Sequence, residues 1–245
     1  MTRPDMVKVF RQKADLSALS DIPRLPMKIF QIGFNKCGTK TIHHYLTTNK
    51  VRSVHWDKGR LARRIFSNLA EGKNLLLGYD EFDAFTDMEY LDRSGLYLAA
   101  YKLFPYLADQ FPDAVFILNT RDREAWIRSR LQHGSDYAHR QMVHHNVDTA
   151  SALADCWRAN WDHHHRRVVE FFAGKPYRFF VCRIETDLPD LLNTMLPECK
   201  LDASYYGVLG ASSQRRWRDT KLSFGGRLLR RARGVFRSAQ PGSGA

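Results

Sequence analysis

Cysteine is scarce, with four in 245 residues (Cys37, Cys156, Cys182 and Cys199) and no Cys-x-x-Cys pair among them. That spacing excludes a zinc ribbon and a disulfide framework, so reduced thiols are expected. His-Glu-x-x-His and Cys/His clusters are missing too, and no metal is assigned. A run of about 18 apolar residues, long enough to span a bilayer, is lacking, and residues 1–10 hold no leader-like apolar stretch. A soluble, cytoplasmic protein is therefore expected. No internal repeat occurs, and low complexity is confined to the last eight residues from Ser238. Acid is the other deficit. Asp and Glu number 26 against 38 Lys and Arg, a net charge of +12. That imbalance predicts an anionic partner: nucleic acid, an acidic membrane surface, or a ligand bearing phosphate or sulfate. A hydrophobic fraction of 44% argues against a disordered chain, and the length permits a core without staples.

Strand and helix patterns alternate along the chain. Residues 27–33 (MKIFQIG) read as a strand that runs through a polar loop into a helix containing Tyr45 and Leu46. Residues 52–56 form a second strand, Leu61, Ile65 and Leu69 mark one face of a helix, and residues 75–79 (LLLGY) read as a third strand. A polar and aromatic loop is expected from there through Met88, then a helical turn between Pro105 and Pro112. Residues 114–120 (AVFILNT) are the clearest buried strand. A helix over 124–131 follows, with Arg123, Arg128 and Arg130 read as surface charges, and residues 136–145 read as a loop. Asp148 or Thr149 caps a long helix whose Leu153, Trp157, Trp161, Val168 and Phe172 recur at helical spacing. Within it, His163, His164 and His165 point in different directions and cannot share a metal, while Trp157, Trp161, Phe171 and Phe172 read as core anchors. A strand over 178–184 and a short helix over 188–196 complete the pattern. It implies an α/β fold with a parallel sheet covered on both faces, whose ligands collect beyond the carboxyl ends of the strands.

The loop Gly33-Phe34-Asn35-Lys36-Cys37-Gly38-Thr39-Lys40-Thr41 joins a strand to a helix, so its N–H groups can hold an anion. A Walker loop needs Gly-Lys-Ser/Thr, whereas here Thr39 follows Gly38 and the lysine moves to position 40. With Lys36 inside the loop, Gly38-Thr39 and a later hydroxyl, the segment instead resembles the 5′-phosphosulfate loop of the sulfotransferases. Their donor is PAPS, 3′-phosphoadenosine 5′-phosphosulfate. A second motif agrees: Arg121 ends the AVFILNT strand and Ser129 lies eight residues on, the spacing of the sulfotransferase pair that grips the donor 3′-phosphate. The resemblance runs from about residue 27 through 185 and includes residues 82–87 (FDAFTD) and 116–122 (FILNTRD). Cys37 stands where these enzymes often carry Ser or Thr, and Lys40 where they often carry Thr.

The resemblance implies a three-layer, P-loop NTPase-like fold with about five mostly parallel strands over residues 27–214, preceded by an extension (1–26) and followed by a basic segment (215–245). It implies in-line sulfuryl transfer in which Lys36 meets the bridging oxygen and Gly38, Thr39, Lys40 and Thr41 cradle the 5′-phosphosulfate. The general base is sought near the third strand: Asp87 first, Asp83 second, with His55 a further candidate. The acceptor is a small molecule, glycan or lipid. Two other readings stay open. Residues 75–81 (LLLGYDE) look like a Walker B strand, as in a small P-loop kinase or NTPase, and the charge alone would suit a nucleic-acid or membrane-binding protein. No nucleic-acid motif accompanies that charge. Between Arg215 and Arg237 lie nine basic residues and one acid, net +8, which leaves +4 for the rest. Arg215, Arg216 or Arg218 is expected to reach the 3′-phosphate, and Leu228, Leu229, Val235 and Phe236 among arginines would form a short helix that touches an acidic membrane. Oligomeric state is left undecided.

Overall fold

The structure, a computed structural model, describes residues 22–134 and 136–209. Expectations for the extension before Ile22, for Arg216 and for the rest of the basic segment lie outside the described residues. Five strands, β1 (Ile29–Gln31), β2 (Ser53–His55), β3 (Ala84–Thr86), β6 (Val115–Thr120) and β7 (Arg178–Arg183), form one sheet in the order β2-β3-β1-β6-β7. Every pairing is parallel. A two-stranded antiparallel sheet joins β4 (Glu89–Leu91) to β5 (Tyr97–Ala99). The helices are α1 (Thr39–Thr48), α2 (Arg60–Ala70), α3 (Phe104–Gln110), α4 (Arg123–Leu131), α5 (Tyr137–His145), α6 (Ala150–Phe172) and α7 (Asp190–Met195).

The pleat sorts the core into two layers. Along β6, Phe116 and Leu118 enter one core with side chains of α2, α3, α4 and α6, whereas Val115 and Ile117 enter a second core with α1 and α7. Phe30 and Ile29 of β1 divide in the same way. All six residues of β6 are buried, as a strand covered on both faces requires. Two helices, α4 and α6, start where a short polar side chain serves an open N–H group: Asp122 Oδ1 accepts from Ala125 N at 2.7 Å, and Thr149 Oγ1 accepts from Ala152 N at 3.1 Å. β1 is central, with β2 and β3 to one side and β6 and β7 to the other. The ligand crevice of such a sheet lies beyond its carboxyl end.

Two expectations of secondary structure are corrected. Residues 75–79 are a run of turns, and the third strand is Ala84–Thr86 instead. Leu75 and Leu76 are buried as their hydrophobicity demands, but Gly78 takes φ 92° and the backbone bonds to side chains rather than to a ladder. Asn68 Nδ2 donates to Leu75 O and Leu77 O, both at 3.0 Å, and Leu75 N donates to Gln110 Oε1 at 2.8 Å. A Walker B strand is thereby ruled out for this segment. Residues 137–145, expected as loop, form α5, with buried Tyr137 and Gln141 one turn apart on its inner face.

Asn68→Ala should cost about 2 kcal/mol, since the buried Leu75 carbonyl and the part-buried Leu77 carbonyl lose their donor. That corresponds to a fall in Tm of roughly 4–8 °C, and thermal denaturation followed by circular dichroism measures it. An unchanged Tm would mean that the 75–79 turns do not depend on this amide.

Candidate active site

The site is assembled at the carboxyl edge of the sheet. Asn119, fully buried on β6, shapes the loop after β1: its Oδ1 accepts from Gly33 N at 2.9 Å while its Nδ2 donates to Phe34 O at 3.2 Å and Cys37 O at 2.8 Å. The approach is so close that a Cβ on Gly33 would lie 2.1 Å from Asn119 O. Lys36 (φ 62°) and Gly38 (φ 73°) both adopt left-handed conformations, which turn the chain into α1. Gly38 is the N-cap of this ten-residue helix and no side chain caps it, so the first N–H groups are available to an anion.

Lysine and arginine surround that helix end. Lys36 is half-buried and Lys40 exposed on the first turn of α1. Arg121, just past β6, donates from Nη1 to Lys36 O at 3.1 Å and lies 3.3 Å from Glu185 Oε1, so it is tied to the loop itself. Thr39 is buried at the first position of α1. The Thr41 hydroxyl donates to Leu209 O (3.4 Å) and accepts from Leu209 N (3.0 Å), which holds the last described residue beside the loop. Ser129 is half-buried on α4 and makes no hydrogen bond to Arg121.

The carboxylates separate by position. Asp87 follows the carboxyl end of β3, at the same edge as the loop. Asp83 precedes β3 at the opposite edge, where its Oδ2 accepts from Leu25 N at 3.1 Å and its Oδ1 lies 3.7 Å from Lys28 Nζ. Asp83 is thus held by Leu25 and Lys28 at the sheet edge opposite the loop. Asp87 adopts φ 54° and brings Oδ2 to 3.4 Å from His55 Nε2 at the end of β2. Thr86 Oγ1 donates to Val54 O at 3.2 Å and lies 3.0 Å from His55 Nδ1.

Electrostatics match this arrangement. Burial, and next the Glu89 carboxylate, raise the proton affinity of Asp87, with Lys40, Arg130 and Lys36 pulling the other way. Burial pushes His55 down to about 3, aided by His43 and Lys40. The pair thus shares one proton, as Asp87 carboxyl and neutral imidazole, and Asp87 Oδ1 has no hydrogen-bond partner among the described residues.

Beneath the loop lies a polar network absent from the sequence reading. Asn35 Nδ2 donates to Glu89 Oε1 (2.5 Å) and Tyr137 OH (3.0 Å), and Trp126 Nε1 donates to Asn35 O at 3.0 Å. Arg130, expected at the surface, is buried: its guanidinium lies 4.8 Å from the Trp126 ring centre and 4.5 Å from that of Trp157, and it donates to Tyr137 OH. The facing rings replace part of its hydration. Its position one turn beyond Trp126, on the same face, was the available signal. Of the three histidines in α6, His164 is buried and its Nε2 meets Ile32 O at 2.8 Å, while His165 Nε2 meets Thr120 Oγ1 at 2.9 Å. No group of side chains able to hold a metal occurs among the described residues, and none of the described helices is long and apolar enough to cross a membrane.

A family model described as Sulfotransferase domain matches residues 28–184, the span from the start of β1 to the residue after β7. No curated protein matches the chain.

Neutral buried histidines make acid destabilising. His55 and His164, both held at about 3 by burial, take up protons more readily in the unfolded chain below pH 6.5, so each removes up to about 1.4 kcal/mol per pH unit as pH falls toward its folded value. Asp87 acts with the opposite sign, because its folded form binds a proton that the unfolded chain releases. Asp87→Asn should therefore steepen the loss of stability between pH 7 and pH 5, read from urea midpoints; a slope equal to that of the native sequence would contradict the raised proton affinity.

Proposed function

The chain belongs to the sulfotransferase domain family, and on that premise we propose that it moves a sulfuryl group from PAPS to a hydroxyl or amine of a small-molecule, glycan or lipid acceptor. The observation that carries this reading is the meeting, at one sheet edge, of an uncapped helix N-terminus, two lysines and an arginine with a carboxyl that favours its proton. A phosphosulfate suits the first three groups: backbone N–H donors and fixed cations complement a multiply charged anion, and glycine at position 38 permits the left-handed turn that opens the helix end. PAPS supplies an activated sulfuryl group whose leaving partner is adenosine 3′,5′-bisphosphate.

In this reading the residues divide the work. Lys36 neutralises charge on the bridging oxygen as the sulfur–oxygen bond to the leaving phosphate breaks, and Gly38, Thr39, Lys40 and Thr41 hold the 5′-phosphosulfate. Arg121, a planar fork of permanent charge, takes the 3′-phosphate with Ser129 contributing a hydroxyl. Arg216, outside the described residues, belongs to the same proposal. As the acceptor oxygen forms its bond to sulfur, its proton passes to ionised Asp87. A carboxylate whose proton affinity is raised toward neutrality is a better base than an ordinary aspartate and still ionises in part. Lys36 and Lys40 oppose that elevation, so an anionic donor seated on them strengthens the base where the acceptor must lose its proton.

Calorimetric titration with adenosine 3′,5′-bisphosphate tests the donor site. Binding should weaken by at least about tenfold in Lys36→Ala and in Arg121→Ala, as loss of a charge-assisted contact predicts. Preference for magnesium-ATP over the bisphosphate would overturn the reading in favour of a nucleotide kinase. With an acceptor identified by screening against labelled donor, Asp87→Asn should abolish turnover while bisphosphate binding persists.

A further inference from the structure

Glu89 begins β4, two residues past Asp87, and is buried. Its Oε1 accepts from Asn35 Nδ2 at 2.5 Å and from Tyr137 OH at 3.4 Å, and its Oε2 accepts from Tyr97 OH at 2.8 Å. The Tyr97 hydroxyl lies 3.0 Å from that of Tyr101. Each group within reach can donate, an arrangement that suits an ionised carboxylate. Asn35 is the loop residue immediately before Lys36, and Glu89 therefore touches the donor loop on one side and lies one residue from Asp87 on the other. We propose that Glu89 is a positioning residue for sulfuryl transfer: it anchors the Lys36 loop through Asn35 and, as a fixed negative charge behind Asp87, maintains Asp87 as a strong proton acceptor against the cations in front of it.

The opposing charges are identifiable. Asp87 faces Lys36 and Lys40 from the loop and α1, Arg130 from α4 and the neutral His55 from β2; Glu89 is the sole carboxylate among the named influences on it. Glu89 itself faces Arg130, Tyr97, Tyr101, Tyr137 and Asn35. Burial raises its own proton affinity, and Arg130, first among its neighbours, and the hydrogen bonds from Tyr97, Tyr137 and Asn35 oppose that rise. Remove the charge on Glu89 and only cations remain to act on Asp87 beside burial, which lowers its proton affinity. Asp87 would then be a weaker base, even with the donor loop unchanged.

This proposal rests on the reading of Asp87 as general base, and its test needs no acceptor. Carboxyl carbon-13 NMR of the full chain follows the titration of Asp87, whose signal is identified by its loss in Asp87→Asn. In the native sequence Asp87 should titrate well above the ordinary aspartate value near ~4. In Glu89→Gln the midpoint should fall by about one pH unit or more, and in Glu89→Asp, which keeps the charge, it should remain raised. Bisphosphate affinity should stay within about threefold in Glu89→Gln, because glutamine still accepts from Asn35, and weaken about tenfold in Glu89→Ala, where the loop loses its anchor. An ordinary Asp87 titration in the native sequence overturns the proposal whether or not any Glu89 variant folds. So does a midpoint that Glu89→Gln leaves unmoved. Turnover retained by Asp87→Asn would instead remove the base assignment, whereas an inactive Asp87→Asn with an unmoved midpoint in Glu89→Gln removes the role of Glu89 alone.

Discussion

The grip of Asn119 on the loop after β1 is the contact on which the site depends. A parallel strand that ends inside the protein must hand its chain to a helix without leaving buried polar backbone unsatisfied. One amide does this by accepting from Gly33 and donating to Phe34 and Cys37. Only glycine fits so near β6 at position 33, and the left-handed turns at Lys36 and Gly38 complete the reversal. The result leaves the α1 N-terminus uncapped by any side chain and places Lys36 at its mouth. Arg121, two residues past Asn119, donates to the carbonyl of Lys36, so one short stretch of β6 both shapes the loop and charges it.

A second layer of polar contacts supports the first. Asn35 points away from the anion site into the Glu89, Tyr97, Tyr137 and Arg130 network, while its carbonyl is held by Trp126. Buried networks of this kind are costly when incomplete, and here aromatic faces complete what hydrogen bonds do not. The network also has an electrostatic consequence. Glu89 lies close enough to raise the proton affinity of Asp87, and Arg130 close enough to moderate it. Support of the loop and the raised proton affinity of Asp87 come from the same network.

Where hydrophobic periodicity coincided with local capping, elements were legible in advance. The six buried residues of β6, the Thr149 cap of α6 and the core tryptophans follow from patterns within one segment. Residues 75–79 misled because apolar composition reports burial rather than conformation. Leu75 and Leu76 are buried in turns whose backbone is satisfied by Asn68 and Gln110, and Gln110 lies 35 residues away from its partner Leu75. Arg130 misled for a related reason. A charge on a helix reads as solvated unless the rings that enclose it are known, and one of them, Trp157, belongs to another helix.

The sequence by itself determined the alternation of strands and helices, the cationic loop between Gly33 and Thr41, and the arginine at the end of the most buried strand. These are local properties, set by side-chain volume, charge and spacing along a few turns of chain. Tertiary structure alone put Asp83 and Asp87 at opposite edges of the parallel sheet, on either side of Ala84–Thr86. It also set His55 Nε2 3.4 Å from Asp87 and Glu89 against Asn35 of the loop. Proton affinity depends on burial and on charges a few ångströms away, and those neighbours come from β2, β4, α1 and α4, elements whose proximity no single stretch of sequence encodes.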